Sequence, residues 1–144
     1  MARFAQGVYE VKNSDKYVGL KKPRYRSSWE LVFCQFCDNN DKIIKWASES
    51  ITIPYRHPLT GKNTIYVPDF FIVYQDKTGR VVSEIIEIKP KSQTMIEEKV
   101  TNAKNKMVVI VNHAKWAAAT AYSKRLGVTF RVVTEDQIFH NGRR

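Results

Sequence analysis

Two short segments of this chain set a carboxylate inside an otherwise apolar run: Val67-Pro68-Asp69-Phe70-Phe71 and Ile85-Ile86-Glu87-Ile88-Lys89. Apolar flanks commit the backbone on either side to a core, so the charge between them is carried inward. Thr64 to Tyr74 is rich in Ile, Val, Tyr and Phe, Gln75-Asp76-Lys77-Thr78-Gly79-Arg80 has turn composition, and Val81 to Lys89 reads as the returning strand of a hairpin. Folded about Thr78, paired residue numbers sum to 156, and Asp69 falls opposite Glu87 on one face, about 5 Å away. A four-residue turn centred on Lys77 and Thr78 gives 155 and puts the two carboxylates on opposite faces. A shared face therefore requires a five-residue loop or a bulge, and Pro68, which lacks a ladder donor, suits a bulge or an edge position.

Two carboxylates this close repel, and one takes up a proton unless a cation lies between them. Mg²⁺, which prefers oxygen ligands and keeps some of its waters, is the expected cation, with Mn²⁺ as a substitute. Side chains alternate along a strand, so Lys89 shares the face of Glu87 while Ile86 and Ile88 point to the core. Phosphodiester hydrolysis needs a placed water, neutralisation of charge on the phosphate and help for the leaving alkoxide, which clustered carboxylates and a divalent metal supply. Lys89 suits orienting or deprotonating the water, or stabilising the phosphate; the sequence leaves these roles open. An isolated Glu-x-Lys is most often a surface pair, and only the Pro-Asp at the matching hairpin position gives it meaning.

Bulk properties agree. The chain has 144 residues, a length for one ordinary domain, and 24 Lys and Arg against 14 Asp and Glu give a net charge of +10. DNA, a polyanion, is the natural partner of such a surface. The longest apolar stretches, Phe70 to Tyr74 and Met107 to Val111, are too short to span a bilayer, no basic amphipathic helix is evident, and MARFAQGVYE lacks the apolar centre of a secretory signal. The expectation is a soluble intracellular protein with no membrane partner. Cys34 and Cys37 form a C-x-x-C, but His57, His113 and His140 are scattered and no second cysteine pair completes a zinc set. Two small buried residues on a helix are the expected reading.

Along the chain, residues 1–24 carry Lys12, Lys16, Lys21, Lys22 and Arg24 with Tyr9 and Tyr17 interleaved, and are expected as a basic arm ahead of a domain over 25–144. Ser27 precedes a helical pattern, with Trp29, Val32, Phe33, Phe36 and Cys37 on one face, ending near Asn39 and Asn40. Strands are expected at Ser50–Tyr55, Thr64–Tyr74 and Val81–Lys89, the last closed by Pro90. A charged helical stretch is expected from Thr94; Met107–Val111 reads as a short strand or as the start of a helix, which runs from about Asn112 to Gly127. Val128–Val133 is a final strand, and Thr134-Glu135-Asp136-Gln137 looks like a capped short helix. Glu30 fits two roles. Ser27-Ser28-Trp29-Glu30 matches a capping box, and on spacing alone that structural role comes first, although a helix packed on the sheet would bring Glu30 towards Asp69.

Taken together, these residues resemble the PD-(D/E)xK nuclease superfamily. Pro68-Asp69 corresponds to the first half of the motif, Glu87-Ile88-Lys89 to the second, and Glu30 to the glutamate of the preceding helix. The resemblance runs from about Tyr25 to Gln137. It looks closest to phage head-completion nucleases and to the endonuclease subunit of heteromeric transposases, on Tyr25-Arg26-Ser27-Ser28-Trp29-Glu30, Val67-Pro68-Asp69-Phe70 and Ile86-Glu87-Ile88-Lys89-Pro90. A single-domain chain with a basic arm favours the phage group, since transposase subunits usually add a C-terminal domain. The resemblance implies an α/β fold with a restriction-endonuclease-like core, an α-β-β-β-α-β mixed sheet flanked by helices. It also implies a Mg²⁺-dependent endodeoxyribonuclease in which Glu30, Asp69, Glu87 and the Ile88 carbonyl hold metal and Lys89 is the catalytic lysine.

DNA contacts are expected from Lys21, Lys22, Arg24 and Arg26, with Lys91 and Gln93 beside the site. Phage head or portal proteins and a second copy of the chain are the expected protein partners, and the host cytoplasm or the virion the expected location. Two alternatives stay open at this stage: a DNA-binding head component without turnover, and a resolvase or transposase-subunit nuclease using the same chemistry.

Overall fold

The computed structural model describes residues 6–94 and 102–141. Two short strands, β1 (Gly7–Val8) and β2 (Arg24–Tyr25), pair antiparallel ahead of helix α1 (Ser28–Asn39). Strands β3 (Ile43–Ser48), β4 (Ile53–Arg56), β5 (Asn63–Tyr66), β6 (Phe70–Gln75) and β7 (Val81–Ile88) follow. A 3-10 turn (Lys91–Gln93) then leads towards α2 (Ala103–Leu126), β8 (Thr129–Val133) and α3 (Glu135–Asn141). The central sheet has four strands in the order β3-β6-β7-β8, antiparallel except for the parallel β7–β8 pair, while β4 and β5 form a separate two-stranded ribbon. This is the expected mixed α/β architecture with helices flanking a mixed sheet.

The hairpin that decides the site has the expected register. Phe70 pairs with Ile86 and Gln75 with Val81, every pair summing to 156, around a five-residue loop from Asp76 to Arg80. That loop is tied internally, with the Asp76 Oδ1 accepting from the Thr78 amide at 2.9 Å, the Thr78 hydroxyl at 2.7 Å and the Arg80 amide at 3.0 Å. Gly79 takes φ 89°, a left-handed conformation that a side chain would strain.

Three expectations about elements need correction. The run Thr64–Tyr74 is two strands, because Val67-Pro68-Asp69 interrupts it, and β5 leaves the sheet to pair with β4. The strand expected at Ser50–Tyr55 accordingly begins at Ile53 and belongs to that ribbon. The fourth strand of the sheet is β3, which was not anticipated: a bulge between Ile43 and Lys45 breaks its alternation and leaves both Ile44 and Lys45 exposed. Helix α2 starts at Ala103, so Met107–Val111 is helical, with Val109, Asn112, Ala119 and Ser123 on its buried face. It is capped by Asn102, whose side chain accepts from the Asn105 amide at 2.7 Å, and it stops at left-handed Gly127. Beyond Thr94, the charged stretch expected as a helix lies outside the described residues up to Asn102.

Residues 6–24, the described part of the segment 1–24 expected as an arm, lie along the body. Lys16 to Val18 run beside β3, with the Val18 amide donating to the Trp46 carbonyl at 2.9 Å and the Trp46 amide to the Lys16 carbonyl at 3.1 Å, so this segment covers a sheet edge. Tyr9 is buried, and its hydroxyl donates to Asp38 of α1 at 2.7 Å. The main core lies between α1 and the sheet, where Phe33, Cys34 and Cys37 meet Trp46, Phe70, Ile72, Ile86 and Ile88. Both cysteines are free and buried, as expected for helix-face residues, and burial pushes the Cys34 thiol up to about 12. The opposite face of the sheet is covered by α2 and the ribbon through Ile53, Tyr66, Trp116, Ala119 and Phe130.

Candidate active site

Regular pairing of β6 with β7 ends at Phe70, and Asp69 sits one residue beyond it. The next amide of β7 that points towards β6, that of Ile88, therefore has no ladder acceptor; it donates at 2.8 Å to Oδ2 of Asp69. The Asp69 carbonyl is fixed from the other side by the Glu49 amide at 2.9 Å. Buried Pro68, unable to donate to a ladder, is what lets the chain leave the sheet here. One step along β7, Glu87 is only 4 % exposed and shares its face with Lys89, whose ammonium stands 3.7 Å from Glu87 Oε2. The other carboxylate oxygen, Oε1, is buried with no hydrogen-bond partner among the described residues.

Glu30 comes from the start of α1. Its amide donates to the capping Ser27 hydroxyl at 3.2 Å, and its Oε1 accepts from the Arg26 amide at 3.3 Å, one residue ahead of the cap. This is a capping arrangement that ties the carboxylate loosely, and the same side chain is buried and close enough to Glu87 and Asp69 to feel both charges. The two roles offered by the sequence are compatible, because a helix N-terminus aimed at the end of β6 and β7 delivers the capping glutamate to the hairpin carboxylates.

Electrostatics at this point are unfavourable without a cation. Burial, reinforced by Glu87 and Glu30, holds the Asp69 carboxyl well above the usual range. Burial likewise raises Glu30, with Glu49 and Glu87 adding to it against the Arg26 amide. Glu87 is raised by burial too, against the opposing pull of Tyr66 and Lys89. Among the described residues, no three His, Cys, Asp or Glu side chains converge closely enough to enclose an ion unaided. What the residues offer is a set of hard oxygen donors, one of them buried and unpartnered, which matches the preference of a divalent cation that keeps part of its water shell.

Three neighbours escaped the sequence reading. Tyr66 of β5 faces Glu87, and its buried hydroxyl has no hydrogen-bond partner among the described residues. Lys115 of α2 holds its ammonium 5.6 Å from the centre of the Tyr66 ring. Burial, then Lys89, presses the Lys115 pKa below its ordinary value, against the pull of Glu87 and Asp69. Glu49 ties up Arg26 through bonds of 2.8 and 3.1 Å to its guanidinium, and it adopts φ 49°, an uncommon conformation for a side-chain-bearing residue. That strained glutamate had no local signal. Lys115 had a faint one, as the only cation in the stretch Ala114 to Tyr122, but an alanine-rich helix does not show which turn faces a site.

The expected DNA contacts are distributed. Lys21, Lys22 and Arg24 are exposed on the segment ahead of α1, with Lys22 3.4 Å from Glu10. Lys91 pairs with Asp136 of α3 at 3.6 Å, and half-buried Gln93 accepts at its carbonyl from Asn112 of α2 at 3.1 Å. The two residues thus pin the turn after Lys89 between α2 and α3. A cavity of about 400 Å³ lies on the other face of the sheet, lined by Phe33, Ile72, Tyr74, Glu84, Arg131 and Ile138 among others. Its one carboxylate, Glu84, is already satisfied by Tyr74 and Arg131, each at 3.1 Å, so the unpaired chemistry is at the carboxylate cluster and not in this cavity.

The family described as TnsA-like endonuclease N terminal matches residues 40–135, which include Asp69, Glu87 and Lys89. A head completion nuclease of Enterobacteria phage T4 is 38% identical over 140 residues, covering 90% of this chain and 91% of that protein.

Proposed function

Because the chain belongs to the TnsA-like endonuclease family, with a nuclease of phage head completion as a full-length relative, we propose that it is a Mg²⁺-dependent endonuclease that cuts phage DNA during head completion. The observation that carries the reading is the β6–β7 register, whose last pair, Phe70–Ile86, stands one residue short of Asp69 and Glu87, with the Ile88 amide bonded to Asp69 at 2.8 Å and Lys89 3.7 Å from Glu87. In this proposal Glu30, Asp69, Glu87 and the Ile88 carbonyl would hold the ion. The Ile88 amide and carbonyl project to the same side of β7, and the amide already meets Asp69, so the carbonyl shares the site. Mg²⁺ bound there would supply neutralisation of charge building on the phosphate and acidification of the attacking water.

The side chains do the rest. Asp69 is oriented by the Ile88 amide, which engages Oδ2 and leaves Oδ1 for a ligand. Glu87 is held within β7, and its buried Oε1, which has no hydrogen-bond partner among the described residues, is left for a ligand. The Lys89 ammonium, close to Glu87, is placed to orient the water and to donate to a phosphate oxygen as negative charge grows. Exposed Lys21, Lys22 and Arg24 supply phosphate contacts that hold the duplex, Lys91 and Gln93 fix the turn beside Lys89, and Arg26 contributes once Glu49 releases it.

The same proposal places the protein in the host cytoplasm or on the virion, acting with head or portal proteins, and a second copy would supply the second active site for a double-strand cut. Among the described residues no helix is long and apolar enough to cross a membrane. The test is cleavage of supercoiled, linear and branched DNA with Mg²⁺, Mn²⁺ or EDTA, comparing wild type with Lys89→Ala. Metal-dependent cutting lost in the variant is expected; a wild type inert on all three substrates, or a variant as active as wild type, sinks the proposal.

A further inference from the structure

We propose that the β4–β5 ribbon is the part of this protein that enters the major groove of duplex DNA beside the active site. The inference rests on the nuclease reading and adds to it the element that engages the bases. Residues 50–68 contain no Asp or Glu and carry Arg56, Lys62 and His57, whereas the loop at the far end of β6, Asp76 to Arg80, contains an acid. The ribbon is thus a stretch that presents no negative charge to a polyanion. It is also continuous with the site: Tyr66, its last residue, faces Glu87, and Asp69 is three residues further on.

One side of the ribbon is committed and the other is free. Ile53 and Tyr66 are buried against Trp116, Ala119 and Tyr122 of α2, which fixes the ribbon to the body. On the opposite side, Pro54 pairs with Ile65 and Arg56 with Asn63, and all four are exposed. Large apolar side chains are exposed at Ile65 (59 %) and at Leu59 on the tip (50 %), with nothing of the described chain covering them. The tip is ordered by its own bonds: the His57 amide donates to the Lys62 carbonyl at 2.8 Å, the Gly61 amide to the His57 carbonyl at 2.8 Å, and the Arg56 Nε to the Gly61 carbonyl at 3.0 Å. Gly61 has φ 71°, which this tight turn needs.

A two-stranded, acid-free ribbon whose outward side joins apolar Pro54 and Ile65 to Arg56 and Asn63 suits the major groove, about 12 Å wide, which admits such a ribbon. There Ile65 and Leu59 would lie against base edges and methyl groups, with Lys62 reaching a flanking phosphate. Lys115, held over the inner side of Tyr66, then marks where the ribbon gives way to the cleavage site.

The experiment uses the full chain and a 30-base-pair duplex. Single-turnover cleavage with Mg²⁺ is measured over a range of protein concentrations for wild type, for Leu59→Ser with Ile65→Ser, and for Lys62→Ala. Protection of guanine N7, a major-groove atom, from dimethyl sulfate is measured in EDTA for the same proteins. The double variant is expected to raise the half-saturating concentration about tenfold, to keep the plateau rate within about twofold, and to lose the N7 protection given by wild type. Lys62→Ala is expected to lower the slope of log affinity against log salt by roughly 0.9. All altered side chains point outward, and an unchanged melting temperature verifies folding. If the double variant binds, protects and cuts as wild type does, the ribbon assignment is overturned and the nuclease reading stands. If wild type neither binds nor cuts the duplex, both fall.

Discussion

Helix α1 buries a carboxylate at each end of one face, Glu30 at its start and Asp38 at its finish, eight residues or about 12 Å apart. The helix dipole alone would favour an anion at Glu30 and oppose one at Asp38. The two carboxyls behave in the opposite way. Burial opposes ionisation of Asp38, but it is outweighed by the Lys12 amide at 2.8 Å, the Tyr9 hydroxyl at 2.7 Å and the Asn13 amide at 3.0 Å, so its pKa falls below the usual range. Glu30 has one amide at 3.3 Å and a hydroxyl at 3.4 Å, with Glu49 and Glu87 nearby, and its pKa rises. Burial by itself therefore does not separate structural from functional acids; the number of donors set against the number of like charges does. Asp38 has its donors in place and pins residues 9–13 to the helix, whereas the acids gathered around Glu30 press on one another with few donors between them.

The largest effect expected from this contrast is at Asp69. Asp69→Asn keeps an acceptor for the Ile88 amide and removes one of the repelling charges, so cleavage should fall by at least about 10³-fold while the metal-free protein becomes more stable. A carboxyl whose folded pKa is raised contributes stability below its unfolded pKa and loses it as pH rises through the folded value. Above the unfolded carboxyl range, neutral pH included, the clustered acids are thus destabilising. A melting temperature in EDTA several degrees above wild type is expected, each kcal/mol being worth roughly 4 °C. Retained cleavage, or a fall in melting temperature, would break the contrast with Asp38.

Asp38→Asn should do the reverse. It sets an NH₂ against donors that require an acceptor, and should cost about 3 kcal/mol of stability, or a drop in melting temperature of roughly 10 °C, while cleavage per folded molecule stays within about twofold. The sign with pH is also reversed: with a lowered folded pKa, the Asp38 contribution is present above the unfolded value near 3.9 and is lost as pH falls through the folded one. Denaturant melts of wild type and variant should therefore converge in acid and differ most above about pH 5.

Metal should act on only one end of the helix. At a Mg²⁺ concentration of 100 times its dissociation constant, the gain is about 2.7 kcal/mol, growing as pH rises and the cluster ionises. Thermal melts with and without Mg²⁺ should show this gain in wild type and in Asp38→Asn, and lose most of it in Asp69→Asn. An equal gain in all three would place the ion elsewhere.

How far the sequence revealed each end follows from locality. The β6–β7 register that leads to Asp69 and Glu87 was legible because a hairpin is a local object: alternation fixes the faces and the five-residue loop fixes the pairing. Ser27 as the cap of α1, Pro90 after β7 and Gly127 after α2 were legible for the same reason. Asp38 was invisible, since its partners are 25–29 residues upstream in a segment whose charge suggested a free arm. Strand β3 was hidden by its bulge, and the division of β5 from β6 by a strand-like run broken only by the adjacent Pro68 and Asp69. The cation expected beside Glu87, Lys89, comes from the same strand, whereas Lys115 and Tyr66 are brought in by tertiary packing of α2 and the ribbon, which no pattern within one element encodes.

The smallest expected effect therefore tests the part of the site that only the fold assembles. Among the described residues, Lys115 has no hydrogen bond or ion pair to a carboxylate at contact distance; it is held over Tyr66, half-buried, in the field of Lys89, Glu87 and Asp69. Two ammonium groups are therefore present where the buried acids call for a cation, yet among the described residues only Lys89 comes within salt-bridge distance of Glu87. If Lys115 receives a phosphate oxygen of the substrate, Lys115→Ala should lower cleavage about tenfold through weaker DNA binding, one phosphate contact and about 1.4 kcal/mol, with Lys115→Arg recovering most of it. If it serves only to pack α2 on the ribbon, both variants should alter melting temperature and leave the salt dependence of DNA affinity as in wild type. Affinity against salt and thermal melting, measured on the same two proteins, separate these outcomes because a packing role moves the second and not the first.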